Sequence, residues 1–388
     1  MFYTGRTCIY GCEPLFLMDI LCDIGVWFFR FRVENLRNYN MNVSRSPHNP
    51  VIGPEDVKPS GDNFEVIGVF NAGVTRLEDE IVLLLRVAER PINTNPDVVQ
   101  AAVYDLTEER PVIIEFPKDD PEIDFSDPRL IIKSAQTYLT SISHLRLARS
   151  KDGVDFEIDD APSISPANEY ETFGIEDPRI SMIDGIYYIS YVAVSPLGVT
   201  TCLISTKDFI SFQRHGVIFC PENKDAVLFP KKVEGKYYAL HRPVSPLFKK
   251  QEIWITESPD LYCWGNHRHL MGPYPGHWDE AKIGAGAVPF KTGLGWLEMY
   301  HGVDRNNRYC LGAVLLDGSE PWKIIARTNK PILEPQAGYE CDGFFGNVVF
   351  SCGLLCEGDN VRIYYGAADT VICYAELSLK EILETLDL

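Results

Sequence analysis

Residues 225–243, DAVLFPKKVEGKYYALHRP, show the pattern that decides the fold. A polar opening residue, Asp225, is followed by a short apolar run and a Glu-Gly turn. A second run, rich in aromatic and apolar residues, follows the turn and ends at His241 and Arg242. Two apolar runs joined by a glycine-containing turn are typical of a β-hairpin.

The same pattern occurs four more times, as NAGVTRLEDEIVLLLRVAER from Asn71, EDPRISMIDGIYYISYVAVS from Glu176, GAGAVPFKTGLGWLEMYHGVD from Gly284 and GNVVFSCGLLCEGDNVRIYYGAAD from Gly346. A spacing of roughly fifty to sixty residues, after a longer first interval, indicates a repeat architecture. Because helix signals are scarce, we expect an all-β protein in which residues 41–388 form a single five-bladed β-propeller with a central pocket. A two-sheet sandwich is the alternative, and it explains the repeat less well.

Two segments depart from the repeat. The first interval holds an insert, about residues 91–165, with the strand-like runs AAVYDL, PVIIEF and HLRLARS. The C-terminal LSLKEILETLDL predicts a short helix, and LTEE near residue 106 is a second helix candidate.

Composition limits the class of protein. The chain has 388 residues, 45% of them hydrophobic, which allows a substantial core, and a formal net charge of -19. This charge argues against nucleic acids and anionic membranes as partners and leaves a homo-oligomer open. An odd number of cysteines, eleven, without a CxxC pair indicates a reduced, cytoplasmic protein. The scattered histidines form no metal-binding pattern, and HRH at 267–269 is expected in a polar loop.

Residues 1–40 look unlike the rest of the chain. The stretch CIYGCEPLFLMDILCDIGVWFFRF is apolar, but Glu13, Asp19 and Asp23 interrupt it. It contains neither a window long enough to span a membrane nor a signal-peptide cleavage site. A globular-looking start follows Met41, so we expect residues 1–40 to be a non-native extension from a misplaced start site.

The propeller geometry brings equivalent points of the repeats to one pocket, because the innermost strand of each blade lines the channel. Polar residues occupy two such points, at the openings of the first strands and at the ends of the second strands. The openings carry Asn71, Asp177, Asp225, Lys282 and Asn347, and the ends carry Arg86, His241 with Arg242, His301 and Asp369.

The acids of this set suit glycosidic bond cleavage, which needs a protonated carboxyl and a nucleophile or base. The candidates are Glu176, Asp177, Asp225, Asp304, Glu340 and Asp369. Side chains alternate along a strand, so only one of Glu176 and Asp177 should face the channel. Pro178 favours an extended Asp177 on an edge strand, so we predict Asp177 as the acid and Glu176 as a supporting residue.

Basic residues are the more informative part of the pattern. Arg86, Lys282 and His301 stand at repeat positions of a strongly acidic chain, and such side chains suit phosphate. Each alone would more often be an ion pair. Together with the acids they indicate phosphorolysis, in which phosphate replaces water as the nucleophile.

Six blocks make the chain recognisable: NAGVTRLEDEIVLLLRV, GIEDPRI, NKDAVLFPKKVEGKYYALHRP, KIGAGAVPF with GWLEMYHGVD, YCLGAVLLD, and YE with GFFGNVVFSCG. In this order they resemble glycoside hydrolase family 130, from about Ser44 to the end. The resemblance implies a five-bladed propeller acting on β-mannosides, mostly by inverting phosphorolysis that releases α-mannose 1-phosphate. Inorganic phosphate is then a co-substrate and no cofactor is required.

The resemblance also assigns residues. Asp177 matches the family's general acid, which passes its proton through a sugar hydroxyl. Phosphate-binding and substrate-binding roles are implied for two further sets: Arg86, Lys282, His301, Tyr309 and Lys224 for phosphate, and Asn71, Glu176, Arg179, Asp225, His241 and Asp369 for the sugar. Arg179 should also lower the pKa of Asp177.

One departure bears on the substrate. Some phosphorylases of the family carry Arg-Asn where this chain has Lys224-Asp225, which weakens an assignment to mannosylglucose or β-1,4-mannan. The insert and the NKDA…LHRP form look more like members acting on β-1,2-mannobiose or β-1,2-oligomannan. The alternatives are another β-mannoside phosphorylase, a β-1,2-mannosidase using Glu176 or Glu340 to activate water, a noncatalytic sugar-binding propeller and a five-bladed furanosidase.

Overall fold

Short antiparallel strands dominate the structure, a computed structural model that describes residues 41–245, 247–386 and 388. The expectation about residues 1–40 falls outside the described residues. The strands up to the end of the insert region are β1 (Ser44–Arg45), β2 (Phe64–Leu77), β3 (Glu80–Pro91), β4 (Val98–Asp105), β5 (Arg110–Pro117), β6 (Ile123–Asp124), β7 (Leu130–Lys133), β8 (Gln136–Leu139), β9 (Ile142–Ser150) and β10 (Glu157–Ile158).

The middle and last parts of the chain continue in the same style. The middle strands are β11 (Ile175–Ile183), β12 (Ile186–Ser195), β13 (Gly198–Thr206), β14 (Gln213–Phe219), β15 (Asn223–Leu228), β16 (Tyr237–Ser245), β17 (Lys250–Gln251), β18 (Ile253–Ser258) and β19 (Gly265–Met271). The last strands are β20 (Lys282–Gly284), β21 (Phe290–Lys291), β22 (Trp296–Val303), β23 (Tyr309–Leu316), β24 (Ile324–Arg327), β25 (Val349–Glu357), β26 (Asn360–Ala367) and β27 (Val371–Ser378).

Helices are short. They are α1 (Gly338–Cys341), α2 (Leu379–Glu384) and a 3-10 turn at Pro54–Asp56. The predicted C-terminal helix is confirmed, and the hydroxyl of Ser378 caps it by accepting the N–H of Glu381. The helix prediction at LTEE is wrong, because Asp105 accepts the N–H groups of Thr107 and Glu108 and forms a tight turn between β4 and β5. None of the helices described is long and apolar enough to cross a membrane.

Within the described residues, five antiparallel sheets carry four strands each in line. In chain order they are the first sheet β2–β3–β9–β10, the second β11–β12–β13–β14, the third β15–β16–β18–β19, the fourth β20–β22–β23–β24 and the fifth β25–β26–β27–β1. Each begins with one of the hairpins predicted from the sequence. The fifth sheet is completed by β1, which pairs with β27 through Ser44 and Glu376.

The insert is smaller than expected. It comprises the hairpin β4–β5 and the three-stranded sheet β6–β7–β8. The run HLRLARS lies instead in β9, the third strand of the first sheet, where it pairs with β3. HRH at 267–269 also differs from the expectation, since it lies in β19 and pairs with β18 rather than forming a loop.

Apolar side chains fill the spaces between consecutive sheets. Separate buried clusters join the first sheet to the second, the second to the third, the third to the fourth and the fourth to the fifth. A further cluster joins the fifth sheet back to the first, with Tyr364 and Ile372 packed against Val69 and Leu83. Trp296 and Tyr365 belong to these clusters, so they are core residues.

Candidate active site

The first strand of three sheets contains a β-bulge. Two residues there face one residue of the partner strand: Asn71 and Ala72 in β2, Asp177 and Pro178 in β11, and Asp225 and Ala226 in β15. The first residue of each bulge has a left-handed backbone, with φ of 51°, 48° and 53°, so the prediction of an extended Asp177 is wrong. Asn and Asp tolerate this conformation better than most residues, which explains why they occupy these positions.

The residues opposite the bulges are equivalent to one another. The position preceding the bulge pairs with Arg86 in the first sheet and with Arg242 in the third, and Gly284 pairs with His301 in the fourth. The prediction that Lys282 and Asn347 are equivalent to Asp177 is wrong. Lys282 lies two residues before Gly284, and in the fifth sheet the bulge falls after Phe350.

One cavity of about 320 Å³ receives side chains from all five sheets. Its lining includes nine of the twelve residues predicted for the site: Asn71, Arg86, Asp177, Lys224, Asp225, Lys282, His301, Tyr309 and Asp369. The structure therefore brings together residues that are up to about three hundred positions apart in the chain.

The acid side of the cavity is organised by Arg86. Its Nη1 donates to Asp177 Oδ1 at 3.0 Å and its Nη2 to Glu176 Oε1 at 2.8 Å. Asn71 Nδ2 donates to the same Asp177 oxygen at 2.9 Å. The bulge brings both carboxylates to one guanidinium, so strand alternation does not keep Glu176 away from Arg86, but the prediction that only one of the two acids faces the channel is confirmed. Asp177 lines the cavity and Glu176 does not.

Charge sets the protonation of these acids. Burial alone would raise the pKa of Asp177, but Arg86, Arg179 and Lys224 outweigh it and hold this pKa below its ordinary value. The expected effect of Arg179 on Asp177 is thus confirmed. At Asp369 burial prevails, with help from Asp177 and Glu176, and raises the pKa of that carboxyl to about 6.

The opposite side of the cavity is basic and centred on Asp225. Arg179 Nη2 donates to its Oδ1 at 3.2 Å, and Arg242 Nη1 lies 3.1 Å from its Oδ2. Burial would raise the pKa of Asp225, yet Arg242, His301 and Arg179 keep it well below its usual range. Asp225 is therefore ionised and holds the cations in place.

His301 is a neutral donor in this setting. Burial, and then the neighbouring cations, lower its pKa to about 3, against the pull of Asp225. Arg242 Nη1 lies 3.4 Å from Nε2 of this ring, which therefore accepts. Nδ1 then carries the proton, and it has no protein partner. A buried N–H without a partner is suited to a ligand oxygen.

Lys282 and Tyr309 form the third element of the basic side. The ammonium donates to the Tyr309 hydroxyl and lies 4.7 Å from the centre of its ring. Burial, followed by Arg242 and Lys224, lowers the pKa of Lys282 to about 8. Burial likewise raises the pKa of Tyr309 to about 12. The pair thus presents a cation and a neutral hydroxyl at neutral pH.

Three predicted residues lie outside the lining. Glu176 acts through Arg86, as described, and Arg179 is buried, with its Nε donating to the carbonyl of Gly286 at 3.1 Å. His241 lies behind Asn223, whose Nδ2 donates to His241 Nδ1 at 2.9 Å. Direct sugar contact is therefore not what the geometry supports for Glu176, Arg179 or His241.

No role was predicted for several lining residues: Val199, Glu222, Asn223, Val244, Gln251, Val348 and Phe350. Arg242 was expected beside His241 at the channel end of its strand, but the ligand-binding role was given to His241, although Arg242 is the residue that pairs with the position before a bulge, as Arg86 does. Two candidate acids are elsewhere. Asp304 caps a turn, and Glu340 is buried with Arg45 Nε at 2.8 Å and Tyr365 OH at 2.7 Å.

Comparisons with known proteins show the family of the chain. Residues 128–388 match glycoside hydrolase family 130, described as beta-1,4-mannooligosaccharide phosphorylase. The chain is 49% identical over 351 residues to the beta-1,2-mannobiose phosphorylase of Listeria innocua, covering 89% of this chain and 99% of the relative. It is 46% identical over 244 residues to the 1,2-beta-oligomannan phosphorylase of Thermoanaerobacter sp. strain X514, covering 62% of this chain and 80% of the relative.

Structural comparison points the same way. The solved complex of the Listeria innocua beta-1,2-mannobiose phosphorylase with beta-1,2-mannobiose superposes with a TM-score of 0.87 and 49% sequence identity, over 89% of this chain and 99% of that one. A beta-1,2-mannoside hydrolase of the same family superposes at 0.68 with 21% identity, over 88% of this chain and 94% of that one, which shows a shared fold. The chain belongs to glycoside hydrolase family 130.

Proposed function

We propose that this protein is an inverting phosphorylase that cleaves β-1,2-linked mannosides, β-1,2-mannobiose or a short oligomannan, and releases α-mannose 1-phosphate. One observation carries the proposal: a single cavity is lined both by the carboxyl of Asp177 and by the cations of Lys224, Arg242 and Lys282. Phosphate bound among those cations attacks the anomeric carbon from the face opposite the acid, and this inverts its configuration.

In this reaction Asp177 supplies the proton. The bond between the anomeric carbon and the glycosidic oxygen breaks, the bond from that carbon to a phosphate oxygen forms, and the leaving oxygen receives the proton through a sugar hydroxyl. Asn71 and Asp369 face the same part of the cavity as Asp177, which suits contacts with the mannosyl unit. Phosphate is a substrate, so the scheme needs no cofactor; this stays a prediction.

The residues proposed to bind phosphate divide into charged donors and neutral donors. Lys282 and Arg242 supply charge, while Tyr309 and His301 supply neutral donors. Arg86 and Lys224 also line the cavity and complete the set of residues proposed to bind phosphate. Asp225 contributes by fixing the cations and not by contacting phosphate, because two carboxylate oxygens facing phosphate would repel it.

The proposal includes a five-bladed propeller. Its support is that the five sheets follow one another in the chain and that apolar clusters join each sheet to the next and the last to the first. The pairing of β1 with β27 is the kind of closure that such a ring requires.

The β-1,2 linkage is favoured over β-1,4 by the relatives. Those named for β-1,2-linked substrates are 49% and 46% identical to this chain, whereas a beta-1,4-mannooligosaccharide phosphorylase is 36% identical. Hydrolysis is disfavoured by the position of Glu340, since Arg45 and Tyr365 engage the carboxylate that would activate water.

The decisive experiment incubates the protein with β-1,2-mannobiose, with and without inorganic phosphate, and measures mannose 1-phosphate and free mannose. We expect mannose 1-phosphate and free mannose in equal amounts, formed only with phosphate. A parallel incubation with β-1,4-mannobiose tests the linkage. Free mannose formed equally with and without phosphate would overturn the phosphorylase in favour of a hydrolase.

A further inference from the structure

Three acids lie around Arg86 in the site. Glu176 and Asp177 both accept from Arg86, at 2.8 and 3.0 Å, and Asp369 lines the cavity within electrostatic range of all three residues. We call Glu176, Asp177 and Asp369 the carboxylate cluster. It places three formal negative charges around one guanidinium, and the carboxylates repel one another strongly in a buried site.

Arg86 is also positioned to reach a ligand. Its guanidinium has five N–H groups, and the described contacts use Nε for Ser143 Oγ at 3.2 Å and one N–H each of Nη1 and Nη2 for the two acids. The side chain lies on the ring of Phe70, 4.6 Å from its centre, and lines the cavity. Two N–H groups thus remain for an anion, so Arg86 can hold phosphate and the carboxylate cluster together.

The other charges nearby are largely committed elsewhere. Arg179 donates to Asp225 and to backbone carbonyls, including that of Asp177 itself. Lys224 from β15 is the remaining cation beside the cluster. The titratable and charged groups that face Asp177 from the surrounding strands are Arg86, Glu176, Arg179, Lys224, Asp225, Cys352 and Asp369.

We propose that phosphate binding at Arg86 drives the uptake of a proton by the carboxylate cluster, so that the acid is protonated only when the nucleophile is in place. The inference rests on the proposed function. It explains how one site can both attract phosphate and hold a protonated acid. The cations that attract phosphate also keep Asp177 ionised, and an ionised acid cannot protonate the leaving sugar. Phosphate satisfies part of the charge of Arg86 and thereby favours the protonated acid.

The proton balance closes over one turnover. A proton from solvent enters the cluster as phosphate binds, and the leaving glycosidic oxygen receives it as its bond to the anomeric carbon breaks. The attacking hydrogen phosphate forms the new C–O bond and still carries its own proton. The product ester loses that proton to solvent or to the cluster, so no oxidant, reductant or metal is needed.

The test measures protons taken up on phosphate binding. Inorganic phosphate is titrated into the full-length protein calorimetrically at pH 6.5, where Lys282 is fully charged, in two buffers of different ionisation enthalpy. The variant replaces the whole cluster, with Glu176→Gln, Asp177→Asn and Asp369→Asn combined, and is compared with wild type so that the ionisation of phosphate itself cancels. Glu108→Gln, an exposed acid paired with Arg110, is the matched control.

We expect wild type and Glu108→Gln to take up the same number of protons, and the triple variant to take up about one fewer per phosphate bound. The triple variant should also bind phosphate more tightly, since repulsion is removed. An unchanged uptake in the triple variant would overturn the inference and place the proton outside the carboxylate cluster. Failure of wild type to bind phosphate, with no mannose 1-phosphate formed, would overturn the proposed function itself.

Discussion

Asp177 meets a chemical and a conformational demand at one position. It carries the carboxyl that faces the cavity, and its backbone φ of 48° lies in the left-handed region. Asn adopts this region at least as readily as Asp, whereas a β-branched residue would be strained there. The position therefore allows the acid to be removed without disturbing the bulge.

Asp177→Asn should lower kcat for phosphorolysis by about 10²- to 10⁴-fold, because general acid catalysis contributes a factor of that size. Steady-state assay of mannose 1-phosphate, with circular dichroism to check folding, measures the effect. Asp184→Asn is the matched control, since Asp184 has φ of 51° in the exposed turn between β11 and β12. Full turnover by Asp177→Asn would place the acid on another residue.

Lys282 gives the phosphate site a pH limit. Burial lowers its pKa to about 8, so its charge is present below that pH and is lost as pH rises through it. We expect kcat/KM for phosphate to fall about tenfold per pH unit above this value. Lys282→Arg keeps its charge and should move the decline to higher pH. Identical pH profiles for the two proteins would show that Lys282 does not bind phosphate.

At the level of strands, Gly284 in β20 allows Asp225 and His301 to pack closely against the backbone, because it has no side chain. A Cβ at this position would overlap Asp225 Oδ2 and the ring of His301. Gly284→Ala should therefore displace both groups and lower kcat/KM for phosphate by about 10²-fold. Gly293→Ala, where a Cβ meets open space, is the control and should keep wild-type activity. Phosphate titrations of both variants distinguish lost binding from lost turnover.

Individual hairpins were predictable from the sequence, and their register was not. The two apolar runs and the turn of each hairpin are local signals, so all five were found. A β-bulge depends on which residue lies opposite which, and that is settled only when two strands pair. For this reason the sequence assigned His241 in place of Arg242 and treated Lys282 as the equivalent of Asp177.

The run HLRLARS shows that a sequence pattern also leaves open which strand a predicted strand pairs with. HLRLARS is a strand by pattern, yet its partner is β3, about sixty residues earlier in the chain. Its alternation of apolar residues does not reveal whether it pairs within the insert or with the first sheet. The equivalent points of the repeats supplied seven of the nine predicted lining residues, and the family resemblance added Lys224 and Tyr309, whose positions local pattern leaves open.

For the whole molecule, the contact between Arg45 and Glu340 links the two ends of the described chain. Glu340 is fully buried, and Arg45 donates to both of its oxygens and to the carbonyl of Glu334. Arg45→Ala should destabilise the protein by about 3 kcal/mol, because it leaves a buried carboxylate without its cation. Lys58→Ala breaks an exposed ion pair with Asp160 and should change stability by less than about 0.5 kcal/mol. Denaturant unfolding of both variants measures the difference.

The pairing of β1 with β27 has a consequence for the order in which the protein is made. Ser44 lies opposite Glu376, and Asp369 enters the cavity from the same late part of the chain. On the ribosome, β1 emerges long before its partner strand and must wait, unpaired, for nearly the whole remaining synthesis. The nascent chain can form its early hairpins during this time, but neither the fifth sheet nor a complete cavity can exist before β27 has left the ribosome. Nascent chains that lack β27 should therefore be inactive.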